Sequence, residues 1–97
     1  MSTLTFSEEV NEHFPLLAQY TPVLVRVHGK NHPELAQVRD IFTEMNTKVQ
    51  ENILVDLSTE FNELRRITNN YSIPSDGCET YAATYQMLKA VDKAYHS

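Results

Sequence analysis

The amino-acid sequence predicts an all-α protein, an up-and-down helical bundle, on three observations. The 97-residue chain contains only two glycines and four prolines, so it has few residues that favour turns. Apolar residues recur at helical spacing over most of its length. Its central stretch, residues 33–70, has no glycine and no internal proline. Together these features favour a few long helices within one domain, residues 1–97.

The first helix is predicted to begin near Thr5, which has the spacing of a capping box with Glu8. Pro15 and Pro22 lie inside this helix, and a kink is expected at one or both because proline lacks an amide donor. Gly29 is predicted to end the helix as a residue with positive φ.

The second helix is predicted to begin at Pro33, because proline is favoured in the first turn of a helix and Glu34 suits the helix dipole there. The spacing of its apolar residues predicts one buried face. That face consists of Leu35, Val38, Phe42, Met45 and Val49.

The apolar stripe slips after Val49 and resumes at Leu57, which leaves two interpretations of the centre of the chain. The sequence favours one continuous helix over residues 33–70, which would be ~57 Å long. A helix of that length needs a second chain to cover it, so this interpretation predicts a domain-swapped homodimer. The alternative is a tight turn between Asn46 and Asn52 in a compact monomer.

A loop is predicted at residues 69–74, followed by the last helix. Asp76 is expected to cap this helix, with Glu79 completing a second capping box. The predicted buried face of the last helix consists of Cys78, Tyr81, Tyr85, Leu88 and Tyr95.

Composition argues against several classes of function. The net charge is −5 and the eight lysines and arginines are scattered, so nucleic acid is not an expected partner. A single cysteine excludes an intrachain disulfide and fits a reducing cytoplasm. No signal-peptide pattern and no apolar run of about 20 residues is present, so the sequence predicts no contact with membranes.

His28 and His32 are four residues apart, a spacing that could bind zinc on a helix. Gly29 and Pro33 place the pair in a loop instead. There the two histidines are expected to cap helix ends through hydrogen bonds.

His13 follows Glu9 by four residues, so the two side chains share a helix face and could ligate iron; an exposed pair is the simpler interpretation. His96 is expected to be frayed. Cys78 lies in a first helical turn, where the dipole favours a thiolate. No histidine lies near it in sequence to act as its base, so we expect a small buried side chain. Since no catalytic motif is present, the sequence predicts no enzyme.

Four segments, in this order, resemble one known family: residues 26–35 (RVHGKNHPEL), 64–71 (LRRITNNY), 74–81 (PSDGCETY) and 88–96 (LKAVDKAYH). They are similar to the hemerythrin-like domain of the iron–sulfur cluster repair di-iron proteins, also called regulators of cell morphogenesis and nitric-oxide signalling. The match spans roughly residues 16–96.

This resemblance implies a four-helix bundle in which histidines and carboxylates on facing helices hold two irons. It also implies a role in repairing iron–sulfur clusters after oxidative or nitrosative damage. Six residues match family positions at the bundle end remote from the irons, where their role is structural. They are His28, Gly29, His32, Pro33, Pro74 and Cys78.

The chain departs from the family at the positions of the iron ligands. No histidine matches the first-helix ligand, which should lie upstream of residues 7–10, and the third-helix ligand position falls near Leu54. The segment that ends the family's second helix is absent, and the last ligands would follow Ser97. We therefore expect a non-catalytic, metal-free relative that acts as a binding or regulatory module in stress response. Its expected partners are a second copy, iron–sulfur proteins or a full-length family member.

Two alternatives stay open at the level of sequence. One is an iron-binding repair protein, di-iron or mononuclear, with ligands assembled across a dimer from His13, His28, His32, His96 and nearby acids. The other is a purely structural, protein-binding helical module.

Overall fold

The protein is represented by a computed structural model that describes residues 5–97, and this part of the chain contains four α-helices and no strand. They are α1 (Phe6–His28), α2 (Glu34–Glu51), α3 (Ser58–Ile67) and α4 (Glu79–Tyr95). Helix α1 packs against both α2 and α4, and α2 packs against α3. The predicted all-α bundle is confirmed. None of these four helices is long and apolar enough to cross a bilayer.

Apolar side chains from all four helices meet in one core. Between α1 and α2, the rings of Phe14 and Phe42 pack edge-on with centroids 4.9 Å apart. In α4, Tyr81 and Tyr85 pack in the same way at 5.0 Å. The predicted face of α2 is confirmed, since all five of its apolar residues are buried. Burial of this apolar surface is the main force that holds the helices together.

The start of α1 has the predicted capping box. Thr5 Oγ1 accepts a hydrogen bond from the Glu8 amide at 3.2 Å, and Glu8 Oε1 accepts one from the Thr5 amide at 3.0 Å. The helix continues through Pro15 and Pro22. Both prolines are exposed, so the carbonyl groups that lose their helical donors lie on the solvent side, where water can replace the missing bonds.

Gly29 ends α1, but the expected positive φ is wrong. Its φ is −60° and its ψ is −27°, and its amide donates to the Val25 carbonyl oxygen at 2.9 Å. A Cβ at Gly29 would clash with that same oxygen. The position therefore requires the small size of glycine and not its access to left-handed conformations.

Positive φ occurs instead at Asn69, Asn70 and Tyr71, in the loop after α3. Asparagine tolerates this conformation well, and the Asn70 amide donates to the Arg65 carbonyl at 2.8 Å, as in a Schellman motif. For Tyr71 the left-handed conformation costs about 1–2 kcal/mol. Burial of its ring and donation of its hydroxyl to Asp92 Oδ2 at 2.6 Å offset this cost.

The favoured interpretation of the chain's centre, one continuous helix, is wrong. Helix α2 ends at Glu51 and α3 begins at Ser58, so residues 52–57 form a connection. The alternative of a turn is correct, and the connection begins at Asn52, the last residue of the expected range 46–52, and extends to residue 57. The argument for a domain swap through a shared central helix therefore fails, and the homodimer stays a prediction.

Side-chain oxygens produce this break without glycine or proline. Asn52 leaves the helical conformation at φ −157° and ψ 111°, and its Oδ1 accepts from the Leu54 amide at 3.0 Å. Asp56 Oδ1 accepts from the Ser58 amide at 2.9 Å and from the Ser58 hydroxyl at 2.7 Å. These contacts give the backbone amides partners that compete with the helical pattern.

We expect Tyr95→Phe to lower the free energy of unfolding by about 1–3 kcal/mol, because it removes the partner of a buried amide. The Tyr95 hydroxyl accepts from the Leu57 amide at 2.8 Å and donates to Asp56 Oδ1 at 3.2 Å. Urea unfolding measures the change. Tyr20→Phe is the matched control, since the Tyr20 hydroxyl has no hydrogen bond within residues 5–97. Equal losses in both variants would show that the hydroxyl does not hold the connection.

Candidate functional site

One end of the bundle brings together polar side chains that lie far apart in the sequence. His28 ends α1 and His32 lies in the turn before α2, while Asp76 and Cys78 precede α4 and Tyr81 lies in its first turn. These five residues form what we call the histidine–cysteine end. Two of the pairs within it join residues separated by 50 and 44 positions.

His28 and Cys78 form the first of these pairs. The Nε2 atom of His28 lies 3.3 Å from the Cys78 sulfur, and the imidazole packs edge-on against Tyr81 with ring centroids 5.2 Å apart. Cys78 is exposed and is the N-cap residue of α4. An imidazole nitrogen at this distance can accept the proton of a thiol when the sulfur attacks an electrophile.

The expectation that Cys78 is buried is therefore wrong, since the residue is exposed. Its histidine partner, His28, lies 50 positions away in the sequence. Sequence spacing did not indicate the partner, because the contact forms only when α1 packs against α4 and brings His28 across the bundle.

His32 and Asp76 form the second pair. His32 Nε2 lies 2.9 and 3.0 Å from the two carboxylate oxygens of Asp76, and its Nδ1 lies 3.4 Å from Glu34 Oε1. The hydrogen bond to Asp76 raises the pKa of His32 above 6.5. In return, the hydrogen bond from His32 lowers the pKa of Asp76 below 3.8. The pair thus favours the imidazolium–carboxylate state.

Because Asp76 pairs with His32, the prediction of a capping box at the start of α4 is wrong. Asp76 directs its carboxylate to His32, and α4 has no side-chain hydrogen bond at its N-cap, Cys78. The histidines do not cap helix ends as expected, because their rings contact Cys78 and Asp76 instead. Gly29 and Pro33 shape the turn between them, and the Pro74 carbonyl accepts from the Gly77 amide at 3.0 Å in the facing loop.

A second polar cluster lies on α1, where Glu9, Glu12 and His13 present ligand atoms within 4.8 Å of one another. His13 Nε2 lies 2.8 Å from Glu9 Oε2, so the predicted shared face of these two residues is confirmed. The Glu9 side chain is 13% exposed and that oxygen is buried. All three potential ligands belong to one helix.

His96 is not frayed as expected. It is the C-cap residue of α4, its Nδ1 lies 2.8 Å from Asp92 Oδ1, and its ring packs edge-on against Phe61 at 5.8 Å. The four histidines thus have different nearest partners: Glu9, Cys78, Asp76 and Asp92.

Comparison with known proteins finds one curated relative. The chain is 24% identical over 124 aligned residues to the iron-sulfur cluster repair protein ScdA of Staphylococcus haemolyticus, and the alignment covers 94% of this chain and 56% of that protein. The chain thus spans about half the length of the curated relative it matches. The alignment of 124 positions is longer than the chain of 97 residues. At least 27 residues of the relative, the difference between these two lengths, therefore have no counterpart in this chain.

No protein-family profile matches the chain. No solved structure matches it either.

We expect His28→Gln to slow alkylation of Cys78 by iodoacetamide several-fold at neutral pH, because the variant lacks a ring nitrogen that can accept the thiol proton. Mass spectrometry follows the reaction of the single cysteine. His13→Gln is the matched control and should leave the rate unchanged. An unchanged rate in His28→Gln would exclude His28 as the base.

We expect the His32–Asp76 pair to make stability depend on pH. The pKa of His32 is higher in the folded protein than its usual 6.5. The stability that this residue contributes is therefore fully present below about pH 6.5 and is lost as the pH rises through the raised pKa. On the acid side, the contribution of Asp76 is lost as the pH falls through its lowered pKa.

Asp76→Asn tests this dependence. The pKa of His32, followed by the NMR signal of its ring, should fall towards 6.5. The variant should also be less stable than wild type, and this loss should be greater below the pKa of His32, where the ring is charged, than above it. Asp40→Asn, which removes a carboxylate paired with Arg39, should leave the His32 titration unchanged. An identical titration in Asp76→Asn would show that the pair does not set the His32 pKa.

Proposed function

We propose that this protein is a non-catalytic, metal-free relative of the iron–sulfur cluster repair proteins that acts as a binding or regulatory module in oxidative or nitrosative stress response. The observation that carries this proposal is the extent of the similarity to the repair protein, which covers 94% of the chain. A match of that extent includes residues from all four helices and is not confined to one motif.

The arrangement of potential ligands supports the metal-free part of the proposal. Di-iron bundles take histidines and carboxylates from facing helices. Within residues 5–97, the potential ligands that converge are Glu9, Glu12 and His13, all on α1. The described residues therefore do not fit a di-iron site. The four similar sequence segments therefore indicate a shared fold and shared loops, and not a shared iron site.

The surroundings of Cys78 support a binding role over a covalent one. Covalent catalysis by cysteine uses a base that is itself oriented by a third hydrogen-bonding group. Among the residues that the structure describes, His28 has Cys78 as its side-chain hydrogen-bond partner and packs against the ring of Tyr81. A neighbouring pocket of about 220 Å³ is lined by His32 and Tyr81 but not by Cys78.

The proposed partners are a second copy of the chain, iron–sulfur proteins or a full-length family member. The connection between α2 and α3 offers apolar surface for such contacts, since Leu54 is 88% exposed. Light scattering at micromolar concentration tests the homodimer, and a monomer would contradict it.

Iron content per chain tests the metal-free proposal. Protein purified without chelators and without a histidine tag should contain far less than one iron per chain by elemental analysis. The cluster of Glu9, Glu12 and His13 is the observation that favours the alternative, an iron-binding protein. Near-stoichiometric iron that is lost in His13→Ala and kept in His96→Ala would establish that alternative and contradict the proposal.

Capture experiments separate a regulatory module from a purely structural one. The purified chain should retain a full-length repair protein or a cluster assembly protein supplied in purified form. Failure to retain either, with the helical signal intact, would favour the structural alternative.

A further inference from the structure

A pocket of about 400 Å³ lies between the C-terminal end of α3, the loop that follows it and the C-terminal half of α4. Its volume is within the range of small-molecule binding sites. It is lined by Arg65, Asn70, Tyr71, Lys89, Asp92 and Lys93.

The lining of this pocket is positively charged although the chain is acidic. Three of the eight lysines and arginines line it, in a protein whose net charge is −5. The one carboxylate in the lining, that of Asp92, is buried and has three partners within the protein. It accepts from the Tyr71 hydroxyl at 2.6 Å and lies 3.2 Å from Arg65 Nε and 2.8 Å from His96 Nδ1. The six lining side chains therefore carry a net charge of two positive units.

Within residues 5–97 the two lysines have no acidic partner. Lys89 and Lys93 lie one turn apart on α4, both are exposed, and neither forms an ion pair with any residue in the described range 5–97. Like charges at this spacing destabilise a helix. A bound anion would remove that repulsion and provide the counter-charge that the chain lacks here.

We propose that this pocket binds a small organic molecule through a phosphate monoester group. The two negative charges of a monoester match the two net positive charges of the lining, and lysine and arginine both form charge-assisted hydrogen bonds with phosphate oxygens. Lys89 and Lys93 hold the phosphate at the mouth, and the organic part occupies the space beside Tyr71. Asp92, by holding Arg65 and the Tyr71 hydroxyl, fixes the wall of the pocket.

Titration of the full chain with phenyl phosphate, followed by amide NMR, tests this site. We expect saturable shifts confined to residues 65–71 and 89–93. The double variant Lys89→Gln/Lys93→Gln should bind about ten-fold more weakly, because it removes both mobile cations. Its amide spectrum reports whether the fold is kept.

The matched control is Arg26→Gln/Lys30→Gln. It changes the net charge by the same amount at two exposed cations that also form no ion pair within the described chain. It should bind phenyl phosphate as wild type does. Phenol and inorganic phosphate, used as separate probes, should both bind more weakly than phenyl phosphate.

Four results would overturn the assignment. They are shifts that do not saturate, equal weakening in the control variant, binding of phenol as tight as that of phenyl phosphate, and binding of inorganic phosphate as tight as that of phenyl phosphate. The proposal does not depend on the proposed function, whose tests are iron content and partner capture, so either can fail alone.

Discussion

The reversal of the chain at residues 52–57 is the constraint on which the rest of this structure depends. Helices α2 and α3 each bury one apolar face, and a continuous helix would carry the apolar face of α3 away from α2. The reversal instead returns α3 to the side of α2, where Phe61 and Leu64 become fully buried. The Tyr95 hydroxyl contacts this connection from α4. The last helix thereby helps to fix the position of the third.

Asp92 has a comparable role between α3 and α4. A buried carboxylate is costly unless it is fully hydrogen-bonded. Here a tyrosine hydroxyl, a guanidinium and an imidazole all reach it, from the loop, α3 and α4 respectively. The same interactions hold Tyr71 in a left-handed conformation that the backbone alone would not favour. They also leave Lys89 and Lys93 without the acid that lies nearest to them in sequence.

Features that depend on local sequence could be predicted, and those that depend on tertiary contacts could not. The capping box at Thr5 and the buried face of α2 follow from residues within a turn or two of each other. The end of α2 could not be predicted from glycine or proline, because the side chains of Asn52 and Asp56 interrupt the helix. The distribution of apolar residues did contain a signal, since the stripe slips within residues 50–56.

The candidate site was the harder part to predict. Its residues were identified in the sequence, but their pairing was not, because it requires α1 and α4 to lie side by side. Asp76 has the right residue type and spacing for a cap, yet a tertiary partner, His32, takes its carboxylate. Local capping rules could not foresee this competition. The same holds for Cys78, whose histidine lies 50 positions away.

The contact between Phe6 and Tyr95 has a topological consequence. Their rings pack edge-on with centroids 5.2 Å apart, at the first residue of α1 and the last of α4. The path of the backbone is therefore almost a closed loop. A short linker could join the start of α1 to the end of α4, and new ends could be opened elsewhere with the helices left in place. Phe6 and Tyr95 thus lie beside the α2–α3 connection, at the opposite end of the bundle from His28 and Cys78.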